Sequence, residues 1–97
     1  MTVQEFLRKH PTVYGNSVRP HIHCMDGYVL SVQASSGNYC YPRRDNVRRY
    51  DAVEVMLITG SFVRGWGPKN GGVYGFVPIV KVEQLVKRHG GIVNGKD

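Results

Sequence analysis

Cysteine is scarce in this chain of 97 residues: only Cys24 and Cys40 occur. Two thiols cannot build a disulfide scaffold, and a thiol pair in a reducing compartment stays reduced. Long apolar runs are absent too. None approaches the roughly 18–20 residues that cross a bilayer, and the N-terminus has no signal-peptide core. The expected protein is soluble and cytoplasmic, without a membrane partner. Acidic side chains are few, 7 against 13 basic, for a net charge of +6. That excess excludes mimicry of DNA by an acidic surface and favours anionic partners. The carboxylates Asp26, Asp45, Asp51 and Glu54 show no paired spacing for general acid–base chemistry. Cys40 has no nucleophile motif around it. His21 and His23 would share one face of a strand while Cys24 points away, which spoils a zinc set. The expectation is a protein that is not an enzyme and uses no metal or cofactor.

What the chain does have is concentrated in residues 39–50, Tyr-Cys-Tyr-Pro-Arg-Arg-Asp-Asn-Val-Arg-Arg-Tyr. Four arginines against Asp45 give this stretch half of the excess charge. Arginine presents a planar fork of donors that matches phosphate or carboxylate oxygens two at a time. Tyrosine adds a flat face and one hydroxyl. Together they suit an anionic and aromatic ligand, a nucleotide or nucleic acid. An electrostatic protein interface and a plain solvated loop stay open beside that reading.

The order of elements follows from local signals. Thr2-Val3-Gln4-Glu5 fits a capping box, and Val3, Phe6 and Leu7 form one face of a short helix that Pro11 ends. Residues 12–17 read as a loop with Gly15-Asn16 at its tip. Residues 18–24 and 28–35 read as strands joined by the Asp26-Gly27 turn. In the second, Tyr28, Leu30, Val32 and Ala34 face the core, and Ser31, Gln33 and Ser35 line the opposite face as a polar row. Residues 52–59 form a third strand. Residues 60–72, with five glycines and Pro68, read as a long mobile connection. Residues 73–77 form a fourth strand. Pro78 then opens a helix with the stripe Ile79, Val82, Leu85 and Val86, and Gly90-Gly91 stops it. The expected fold is one α+β domain over residues 1–93. A mostly antiparallel four-stranded sheet carries an N-terminal and a C-terminal helix on one face. Residues 94–97 are a flexible tail.

The expected pocket is lined by Ser31, Gln33, Ser35, Tyr39, Tyr41, Arg43, Arg44, Tyr50 and Trp66. Arg43 follows Pro42, whose fixed φ orients it toward the polar row. Trp66, flanked by Gly65 and Gly67, suits a lid or a subunit contact. Its alternative is to fold back over an open core edge. A chain this size buries only about 60–65% of its unfolded surface, so a homo-oligomer is expected.

The runs Cys24-Met25-Asp26-Gly27-Tyr28, Ser31-Val32-Gln33-Ala34-Ser35 and Tyr39-Cys40-Tyr41-Pro42-Arg43 resemble a family of small phage and prophage proteins of Firmicutes. Val53-Glu54-Val55, Val73-Tyr74-Gly75-Phe76-Val77-Pro78 and His89-Gly90-Gly91-Ile92 resemble the same family. The chain departs from it at residues 60–72, where the family is expected to be more acidic. The resemblance implies a counter-defence role. One form is sequestration of a nucleotide-derived immune signal, a cyclic dinucleotide or an ADP-ribose derivative, without turnover. The alternatives are inhibition of a host defence protein by direct contact, and nucleic-acid binding.

Overall fold

The computed structural model describes residues 1–13 and 18–94. The expected loop tip at Gly15-Asn16 and the last three residues of the expected tail lie outside them. Helix α1 spans Val3–Lys9. Its start is the capping box: Glu5 N–H donates to Thr2 Oγ1 at 3.1 Å, and Thr2 N–H donates to Glu5 Oε1 at 2.7 Å. A second acid serves the same end. Glu83 of the C-terminal helix accepts from Val3 N–H at 2.8 Å and Gln4 N–H at 3.3 Å. A carboxylate there satisfies orphan donors and complements the helix dipole. Val3, Phe6 and Leu7 are buried, as their spacing predicts.

Four strands follow: β1 (Ile22–His23), β2 (Val29–Gln33), β3 (Ala52–Leu57) and β4 (Tyr74–Pro78). They form one sheet in the order β1-β2-β3-β4, with every neighbour antiparallel. Helix α2, Ile79–Arg88, closes the fold. The α+β class, the four-stranded sheet and the two terminal helices match the sequence reading. The Asp26-Gly27 hairpin is formed, with Gly27 at φ 92° and Asp26 Oδ1 accepting from Tyr28 N–H at 3.0 Å. Gly90 (φ 92°) and Gly91 (φ 87°) end α2 in the left-handed region, and their N–H groups take the carbonyls of Lys87 and Val86.

Cross-strand register sets the core. Leu30 opposes Leu57, Val32 opposes Val55 and Val53 opposes Val77, so these residues share a face. They join Val3, Phe6, Leu7, Val82, Leu85 and Val86 in one apolar cluster. The first strand is shorter than expected. Pro20 lacks a donor, and the backbone of Arg19 bonds to a side chain rather than to a strand. Residues beyond α2 cover that edge instead: Cys24 bridges Ile92, and Val93 N–H donates to His23 O at 2.8 Å.

Residues 60–72 fold back on the sheet. Val63 is buried and its N–H donates to Tyr74 Oη at 3.0 Å. Trp66 meets the Tyr74 ring edge-on, with centroids 5.3 Å apart and planes at 83°. Half-buried Trp66 thus packs against the core beside Tyr74.

Candidate functional site

The basic segment is held in place by side-chain amides and acids from distant parts of the chain. Gln4 Nε2 donates to Tyr50 O at 2.7 Å while Tyr50 N–H donates to Gln4 Oε1 at 3.1 Å. Asn46 Nδ2 donates to Thr12 O at 2.7 Å while Thr12 N–H donates to Asn46 Oδ1 at 2.9 Å. These two closed pairs tie residues 46–50 to α1 and the residues just after it. At the other end, Glu54 accepts from Tyr39 N–H at 3.0 Å and Asn38 Nδ2 at 3.2 Å. Asp45 accepts from Ser36 N–H at 2.8 Å. The Tyr41–Pro42 peptide is cis. All four arginines of the segment are exposed.

The structure divides the expected site residues. Ser31, Gln33 and Ser35 are buried, at 5%, 8% and 1% exposure, which corrects their reading as an open polar row. Alternation shows that they oppose the apolar set, but not that both faces of β2 are covered. Gln33 Nε2 donates to Arg19 O and to Ser31 Oγ, each at 3.0 Å, and Gln33 Oε1 accepts from Arg19 N–H. Ser35 Oγ donates to Asn38 Oδ1 at 2.6 Å and accepts from Gly37 N–H. Tyr50 is corrected likewise: it is buried, and its hydroxyl donates to Arg44 O at 2.6 Å. Trp66 adopts the alternative reading, folded against the core. Arg43 does not reach the polar row. It lies over the exposed ring of Tyr39, with Cζ 5.3 Å from the centroid. Tyr39, Tyr41, Arg43 and Arg44 remain on the surface.

The arginine that reaches the polar face is Arg19, which the sequence reading passed over. Its side chain runs inward, donating from Nε to Leu7 O at 3.2 Å and from Nη1 to Ala34 O at 2.6 Å. It is 3% exposed, and no carboxylate lies within ion-pair distance of it among the described residues. Burial lowers its pKa, opposed by Tyr50, Cys40 and Asp45. A guanidinium stays charged at neutral pH even so.

Arg19 forms part of the wall of a surface concavity of about 310 Å³, completed by Leu7, Arg8, Pro11, Asn46, Val47 and Arg48. Arg8 donates to Arg48 O at 3.2 Å, which brings the two exposed arginines together. Three arginines therefore line one concavity, a residue type suited to phosphate oxygens. Arg8 and Arg19 carried no signal of their own, because neither lies in an arginine-rich stretch.

Other reactive groups lie apart from this concavity. Burial pushes both the Cys24 and the Cys40 thiols up. His89 stacks on Tyr28, centroids 3.8 Å apart, and its Nδ1 lies 2.7 Å from Asp26 Oδ2. Among the described residues no three of His, Cys, Asp and Glu converge as a metal set, and no helix is long and apolar enough to cross a membrane. Comparison with protein-family models, curated proteins and solved structures returns no match.

Proposed function

We propose that this chain is a binding protein for a phosphate-bearing, nucleotide-type ligand, which it holds without turnover. The phosphate sits against Arg8, Arg19 and Arg48. One observation carries the reading: Arg19 is a buried cation whose side chain bonds to the neutral carbonyls of Leu7 and Ala34, with no carboxylate within ion-pair distance among the described residues, at the edge of an arginine-walled concavity. A buried charge is costly unless it is paired, and a bound anion supplies the missing countercharge. Each charge-assisted hydrogen bond contributes about 1.5–3 kcal/mol.

The resemblance to prophage proteins gives this binding a role. The ligand is then a cyclic dinucleotide or an ADP-ribose derivative, sequestered in the host bacterial cytoplasm. Calorimetric titration against pyrophosphate, ADP-ribose and cyclic dinucleotides tests the reading. At least one member binds at micromolar concentration and is recovered chemically intact, and no heat from any of them overturns it.

The exposure of Arg43, Arg44 and Arg49 favours a second reading. In it the basic segment docks on a nucleic acid or on an acidic surface of a host defence protein. Affinity for a nucleic acid then falls steeply with salt as counterions are released, and a protein target co-purifies with the chain. Self-association belongs with these proposals. Its basis is the small core of a chain this size, and sedimentation of a monomer alone removes it.

A further inference from the structure

Another cleft lies at the Tyr39 end of the Tyr/Arg segment. Tyr39, Pro68, Asn70, Gly75 and Phe76 line a volume of about 340 Å³. Tyr39 and Phe76 are 43% and 53% exposed, with ring centroids 5.9 Å apart and planes inclined by 36°. Arg43 lies over the Tyr39 ring with its charge free of any carboxylate among the described residues.

A register shift in the β3–β4 pair puts Phe76 there: Val53 opposes Val77 and Val55 opposes Tyr74, so Gly75 and Phe76 stand against Glu54 alone. Phe76 is a non-glycine residue at φ 52°, in the left-handed region. Its N–H donates to Tyr39 O at 2.9 Å. A Cβ on the neighbouring Gly75 would come within 3.1 Å of Tyr39 Cβ. A bulky side chain at positive φ is disfavoured, and such strain persists where the surroundings impose it, often at binding sites. Here the strained position belongs to a bulge that keeps Tyr74 and Val77 both buried on the core face and leaves the Phe76 ring in solvent.

We propose that Tyr39 and Phe76 form a stacking platform for a nucleobase, with Arg43 contacting the phosphate next to it. This deepens the proposed ligand class and rests on that reading for the phosphate half. Base–aromatic stacking tolerates every base because each has a π-face. The net charge of +6 favours a base that arrives with phosphate over an uncharged aromatic.

The test compares three probes, inorganic pyrophosphate, adenosine monophosphate and single-stranded hexaadenylate, on the wild-type chain and on Phe76→Gly. Glycine accepts φ 52° without strain, so the thermal midpoint of the variant stays level or rises. The expected result is a loss of tenfold or more for both base-bearing probes and none for pyrophosphate. Tighter binding of hexaadenylate than of the mononucleotide identifies a strand as the source of the base, and the reverse order identifies a free nucleotide. Equal affinity of wild type and Phe76→Gly for the base-bearing probes overturns the platform and leaves the arginine concavity standing. A silent pyrophosphate titration, with base-bearing binding lost in Phe76→Gly, keeps the platform and overturns the concavity. No binding by any probe at millimolar concentration overturns both.

Discussion

Gln33 and Arg19 are joined by two hydrogen bonds that close a ring between a side-chain amide and a backbone. Arg19 N–H donates to Gln33 Oε1 and Gln33 Nε2 donates to Arg19 O, both at 3.0 Å. The side chain of Gln33 thus does for Arg19 what a neighbouring strand would do. Gln4 with Tyr50 and Asn46 with Thr12 repeat the device. Asn94 bridges two residues of the β1 edge, taking His23 N–H and donating to His21 O, each at 2.8 Å.

Gln33→Leu leaves the N–H and C=O of buried Arg19 without partners. The cost of such orphaned groups is about 1–3 kcal/mol each. The unfolding midpoint falls by roughly 4–8 °C per kcal/mol lost for a domain of this size. Asn46→Ala orphans the N–H and C=O of buried Thr12 in the same way and sets alanine at φ 52°, so its cost is of the same order. Urea denaturation measures both, and an unchanged Gln33→Leu midpoint removes the structural role assigned to the pair.

Arg48→Ala weakens pyrophosphate binding by about tenfold, the equivalent of one charge-assisted hydrogen bond. Arg43→Ala leaves it within about twofold, since Arg43 lies over Tyr39 and not in the concavity. Neither variant moves the thermal midpoint appreciably, because both side chains are exposed. If the two weaken binding equally and the loss vanishes at high salt, the arginines form a diffuse patch.

Stability falls at acid pH in part through Asp26. His89 first, then the Tyr28 N–H, holds its carboxyl below the ordinary range. A depressed folded-state pKa gives stability that is fully present above the unfolded value, about pH 4, and is lost as pH drops through the folded value. Asp26→Asn keeps the turn geometry but removes the titration. Its midpoint therefore changes less between pH 5 and pH 2 than that of the wild type. Parallel acid limbs in thermal scans would contradict this.

Gly90→Ala destabilises more than Gly91→Ala. Both positions have positive φ, which costs alanine about 1 kcal/mol. At Gly90 the added Cβ also meets Met25 Cβ at 2.6 Å, whereas at Gly91 nothing lies within 4 Å. The measurement is a pair of chemical denaturation curves, and equal losses would show that the Met25 hairpin yields without cost.

The sequence by itself determined what depends on near neighbours. The capping box of α1, the Asp26-Gly27 turn, the apolar stripe of α2 and its glycine stop each rest on residues within a few positions of one another. Turn and helix geometry fix those relations before any tertiary contact forms. The order and type of the elements followed from them. Only the tertiary structure decided what covers each face. Period-2 alternation in β2 separates Leu30 and Val32 from Ser31 and Gln33, but it says nothing of a second layer over the polar set. That layer comes from Arg19, 14 residues earlier in the chain than Gln33. The concavity likewise needs Arg8, brought to Arg48 across 40 residues. An arginine-rich stretch announces charge. Which guanidinium is desolvated beside which depends on the path of the backbone between them, and that path is set by long-range packing and the amide pairs that lock it.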